Sequence, residues 1–147
     1  MLNEYYPFES IIDDAHFFFR SEGQEGIIFK IVALSPTKQG RWNLGFGDLN
    51  LKTGDIDDAV MSDNHDAAKV MRTVAKAAFV FLETYPERTV FIEPVDMKRK
   101  RFYNAVFQRY YKEIEPIFDL FGLIGEISEV YSPKIIYDFF ELKRKKR

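Results

Sequence analysis

HFFFRSEGQEGIIFKIVALSPTKQGRWNLGFGDLNL, residues 16–51, decides the fold class. Residues 16–20 and 26–34 are rich in aromatic and β-branched side chains, which fit a pleated, half-buried surface. Ser21-Glu22-Gly23-Gln24-Glu25-Gly26 lies between them with two glycines, so the pair reads as a β-hairpin. A second turn, Ser35-Pro36-Thr37-Lys38-Gln39-Gly40, leads into a third strand over residues 41–51. There Trp42, Leu44, Phe46 and Asp48 alternate with Asn43, Gly45, Gly47 and Leu49. Gly45 and Gly47 suggest a bulge, a bend, or the close approach of another backbone.

Downstream, residues 55–64 form an acidic loop. Ala67, Val70, Met71, Val74, Ala77, Ala78, Phe81 and Leu82 then recur at the spacing of one helical face. Asp63 and Asn64 are candidate caps for this helix, and Pro86 ends it. Residues 89–92, TVFI, read as a short buried strand. Asp96 caps a second helix running to about residue 115, with Tyr103, Val106, Phe107, Tyr110 and Ile114 as its buried stripe, and Pro116 limits it. Residues 120–127 and 133–142 read as two more strands, the last alternating at Ile135, Tyr137, Phe139 and, less cleanly, Glu141. The expected order is β-β-β-α-β-α-β-β. It predicts an antiparallel meander packed by two helices, an α+β fold in a single domain over residues 1–147, with a short basic tail at 143–147.

Fifteen Phe, eight Tyr and one Trp in 147 residues place much of the core in large rings. The absence of cysteine excludes disulfides, thiolate metal sites and thiol nucleophiles, and fits a reducing compartment. The opening MLNEYYPFESIIDD carries acids where an export signal needs bases, and no run approaches the roughly 20 apolar residues of a membrane span. A soluble cytoplasmic protein with no membrane partner is expected. Net charge is −2, but residues 1–96 hold 9 Lys/Arg against 16 Asp/Glu, and residues 97–147 hold 12 against 7. The halves therefore carry −7 and +5. That asymmetry suits an anionic partner, or complementary charge meeting within one chain or between two copies.

Two clusters carry the functional expectations. Lys98, Arg99, Lys100 and Arg101 are consecutive cations in the first turns of the second helix, where the helix dipole disfavours positive charge. An anion would offset them through free backbone N–H and guanidinium groups; so would pairing with Glu93, Asp96 or the acidic loop. Lys98, Arg99, Arg101 and Tyr103 are thus the expected contacts for an anionic ligand, nucleic acid or a protein partner. The second cluster, Asp57, Asp58, Asp63 and Asp66, is the densest set of oxygen ligands and the candidate site for Mg²⁺ or Ca²⁺, although the glycine and distal Glu of a calcium loop are missing. Its plainer role is in turns and at a helix N-terminus.

A non-catalytic binding or accessory protein is the leading expectation. A metal-dependent hydrolase or nuclease using the acidic loop is one alternative, sketched with Asp48, Asp58, Glu93 and Lys98; a structural homodimer is another. His16 and His65 fit packing and capping better than catalysis. Trp42 and Phe46 suit the core better than base stacking, and the basic tail suits a solvated terminus. No Gly-rich phosphate loop, nucleophile elbow or dinucleotide fingerprint is present, so no cofactor is expected.

Trp42-Asn43-Leu44-Gly45-Phe46-Gly47-Asp48, Asp57-Asp58, Ser62-Asp63-Asn64-His65-Asp66, Lys69-Val70, Thr73-Val74, Tyr85-Pro86 and Arg99-Lys100-Arg101-Phe102-Tyr103 together resemble a family of uncharacterised proteins of similar length. That family is found chiefly in Bacteroidetes and has no assigned reaction. The resemblance implies an intracellular bacterial origin and no particular chemistry. Where the family carries Gly-Ser-Thr before its second helix, this chain has Pro94-Val95-Asp96, and Asp96 would repel an anion and pair with Arg99 or Lys100.

Overall fold

A computed structural model describes residues 4–11, 15–50, 52–53, 56–57 and 65–145. The chain is α+β, with two helices and nine strands among the described residues. It divides into two compact units, residues 1–35 with 44–81, and residues 36–43 with 82–147.

β1 (Phe8–Ile11), β2 (His16–Gly23), β3 (Gly26–Pro36) and β4 (Trp42–Leu49) neighbour one another in chain order, and the two-residue β5 (Ile56–Asp57) pairs with β4; these strands belong to the first unit except for residue 36 and residues 42–43, which belong to the second. β1, β2 and β3 pair antiparallel, with Phe17 opposite Val32 and Phe19 opposite Lys30. Gly23 and Gly26 close the β2–β3 hairpin, and Gly26 adopts φ 85°, a conformation that costs glycine little. The period of two puts Phe17, Phe19 and Ser21 inside and Arg20 outside. Residues 67–81 of α1 (Ala67–Thr84) supply the other side of this core through Val70, Val74, Ala77, Ala78 and Phe81. Phe17 and Phe81 are fully enclosed, each worth roughly 1.5–3 kcal/mol of burial.

The second unit holds β6 (Thr89–Ile92), α2 (Met97–Ile114), β7 (Phe118–Ile124), β8 (Ile127–Val130) and β9 (Phe139–Arg144). Its strand order is β6-β9-β7-β8, all antiparallel, while Trp42 and Asn43 at the start of β4 pair parallel with Val90 and Phe91 of β6. The expected meander is therefore corrected. The last strand inserts between β6 and β7, and the helical connection before β6 gives β4 and β6 the long crossover that parallel pairing requires. α2 buries Tyr103, Val106, Phe107 and Ile114, and Tyr110 is half-buried.

The run read as one strand over 120–127 is a hairpin. Gly125, at φ 59°, and Glu126 turn β7 into β8. The run read as a strand over 133–142 becomes extended only at Phe139, and β1 and β5 were not expected at all. Among the described residues no helix is long and apolar enough to cross a membrane.

Candidate functional site

The start of α2 is organised by two carboxylates. Asp96 is the N-cap. Its Oδ1 accepts the Arg99 N–H at 2.8 Å and its Oδ2 meets the Arg99 guanidinium at 2.6 Å. These contacts, the backbone hydrogen bond first, hold the Asp96 carboxyl below its ordinary range. One turn on, Lys100 Nζ lies 2.7 Å from Asp138 Oδ1, while Asp138 Oδ2 accepts the Gly125 N–H at 2.9 Å. The bond from Lys100 is the main cause that lowers the Asp138 pKa. Two of the four consecutive cations are thus matched by the protein's own acids, and the cap occupies a backbone donor that an anion would need.

The expected contacts divide accordingly. Arg99 and Tyr103 are buried, at 9% and 6% exposure, so neither presents its side chain to a partner. Lys98 and Arg101 are exposed. On the same side of α2, Ala105, Gln108, Arg109 and Lys112 are exposed as well. At 3.6 residues per turn these six positions fall within an arc of about 100°, and Lys98 to Lys112 spans about 21 Å. Four cations share that arc with no carboxylate; Glu113, the acid within α2, is half-buried and off it. Beyond the last turn, Lys145 Nζ donates to the Glu115 carbonyl at 2.7 Å, adding positive charge where the helix dipole favours it. The apolar period of α2 carries no information about its charged face, so it does not point to the cations beyond Arg101. The charges have a helical spacing of their own: Arg101, Arg109 and Lys112 follow Lys98 at intervals of three, eleven and fourteen.

The remaining basic tail is engaged where it is described. Arg144 pairs with Glu83 at 3.0 and 3.3 Å, and Lys143 sits 5.1 Å over the Phe121 ring. In the acidic cluster, Asp66 immediately precedes α1, and its Oδ2 accepts the Tyr6 hydroxyl at 2.5 Å and the Ser21 hydroxyl at 2.6 Å. Burial first, and the bond to Asp66 next, raise the Tyr6 pKa. Asp57 is described only as a backbone partner of Asp48, and Asp58 and Asp63 lie outside the described residues. Among the described residues no group of three His, Cys, Asp or Glu side chains converges to hold a metal. Asp48, an expected residue of the alternative metal-dependent reading, faces Lys30 across a buried 2.6 Å ion pair. Trp42 is half-buried with the Arg88 guanidinium 4.1 Å above its ring, and Phe46 is in the core.

The model of one protein family, described as a family of unknown function (DUF6934), matches residues 2–145. The chain belongs to that family. No curated protein and no solved structure matches it. The resemblance carried by the segments from Trp42 to Tyr103 thus leads to a DUF6934 membership that covers nearly the whole chain and assigns no activity.

Proposed function

We propose that this DUF6934 chain is a non-catalytic binding domain that takes a polyanionic partner on the solvent face of α2, and that it works in a bacterial cytoplasm. One observation carries the reading: Lys98, Arg101, Arg109 and Lys112 are exposed along a single helix face that bears no carboxylate. Four like charges on one face repel one another, an arrangement that counter-charge from a partner relieves. The cations better placed for stability, Arg99 and Lys100, already have internal partners. The lack of cysteine fits a reducing compartment.

Heparin affinity chromatography tests this, heparin being a sulfated polyanion. The wild-type chain is retained, and Arg101→Glu with Arg109→Glu elutes at distinctly lower salt. Exposed Arg20 and Lys38, each changed to Glu, provide a control with the same net charge. Equal elution of the two double variants would remove the proposal.

A further inference from the structure

We infer that the polyanion is duplex DNA, with α2 lying across its major groove; this rests on the reading of α2 as a polyanion-binding face. The exposed cations are unevenly spaced. Lys98 and Arg101 form one pair in the first turns, Arg109 and Lys112 form another in the last, and exposed Ala105 and Gln108 lie between them without charge. The pair midpoints are eleven residues apart, about 16 Å along the axis. An acidic polypeptide lying along the helix would best be met by a cation at every turn, and the neutral middle offers it nothing.

The two phosphate strands bordering a groove are different. They are two lines of negative charge with a gap between them, and the B-form major groove is about 12 Å wide and admits an α-helix. Long, flexible Lys and Arg side chains at both ends of α2 cover the remaining distance to the phosphates. Ala105 at the centre lets the helix backbone approach closely. Gln108, whose Nε2 donates to the Pro133 carbonyl at 3.2 Å, adds a polar group of the kind that meets base edges. Phosphate contacts of this type position a protein without reading sequence, so the binding is expected to tolerate many sequences. An RNA duplex, with its deep and narrow major groove, does not admit the helix in this way.

The test is fluorescence anisotropy of the full chain with a labelled 20-base-pair DNA duplex, single-stranded DNA of the same length, an RNA duplex and polyglutamate, over a salt series. Duplex DNA is expected to bind tightest. Four neutralised phosphates give a slope of log K against log salt of about −3.6, at about −0.9 per contact. Lys98→Gln with Arg101→Gln, and separately Arg109→Gln with Lys112→Gln, should each reduce the slope's magnitude by about 1.8. All four residues are exposed, so both variants are expected to keep the wild-type circular dichroism and melting temperature. Single-stranded DNA, an RNA duplex or polyglutamate binding as tightly as duplex DNA overturns the inference, as does a slope indifferent to either pair. Those results leave heparin retention as a separate readout, so the groove assignment can fail while the polyanion reading stands.

Discussion

Lys30 and Asp48 show how one residue can be chemically prominent and still structural. Lys30 is 3% exposed and Asp48 8%, their charged atoms are 2.6 Å apart, and the Lys30 ammonium lies 5.8 Å from the Phe46 ring centre. A lysine and an aspartate in a buried site suggest metal or nucleophile chemistry when read as letters. The geometry instead matches each charge to the other, as an enclosed ion must be. Removing one partner leaves the other charge uncompensated in the core, whereas replacing both with apolar side chains removes the need for compensation. Asp48→Ala is therefore expected to destabilise the protein by about 3–5 kcal/mol, and Lys30→Met with Asp48→Leu to come within about 1–2 kcal/mol of wild type. Urea denaturation decides: a double variant no more stable than Asp48→Ala would mean the pair has a role beyond mutual neutralisation.

At the scale of elements, α2 and the segment before β9 explain both what the sequence made legible and what it hid. Asp96 before an apolar period of three and four located α2 almost to the residue, because caps and periodicity are local signals. Residues 133–138 alternate like a strand for another reason. Tyr137 is completely enclosed, its ring lies where a Cβ on Gly122 would sit, and its hydroxyl accepts the Ser132 N–H at 3.0 Å. Ile136 next to it is 65% exposed, so the alternation belongs to an anchored loop. The anchor comes from another element: Asn104 of α2 accepts the Tyr137 N–H and donates to the Tyr137 carbonyl, both at 2.9 Å, and also donates to the Lys100 carbonyl at 2.9 Å. The side-chain amide therefore does the work of a strand neighbour, a substitution that periodicity cannot register. The turn after Ile124 was legible in principle, since Gly-Glu between apolar runs has glycine at the first central position of a two-residue hairpin. Asn104→Leu removes these bonds and leaves two buried backbone groups of Tyr137 unpaired, at about 1–3 kcal/mol for each group. Its melting temperature should fall, and the Tyr137 amide should lose much of its protection from hydrogen exchange. Protection that stayed at the wild-type level would mean the loop is held without α2.

Across the molecule, the aromatic content visible in the composition becomes a dependence on pH that no single stretch of sequence announces. Burial raises the pKa of Tyr6 in the first unit and of Tyr137 in the second, and pushes Tyr131 up to about 12, with Coulombic contributions from Tyr137 and Tyr111. A phenol with a raised pKa is neutral when protonated, so the folded chain holds protons that the unfolded chain releases near pH 10. Stability then falls as pH rises, because the folded state binds more protons over that interval. The contribution of Tyr131 is fully present below pH 10 and is lost as the pH climbs from 10 to about 12. Tyr6 and Tyr137 act in the same direction, so both units should weaken in alkali. Denaturant midpoints measured from pH 8 to 12 should be level at first and then decline, and Tyr131→Phe should make that decline shallower. Absorbance titration of phenolate provides the independent check, with a fraction of the eight tyrosines ionising well above pH 10 in the folded chain. A single titration step near pH 10 for all of them, in protein that is still folded, would show that these rings reach water and that the expected alkaline loss has another cause.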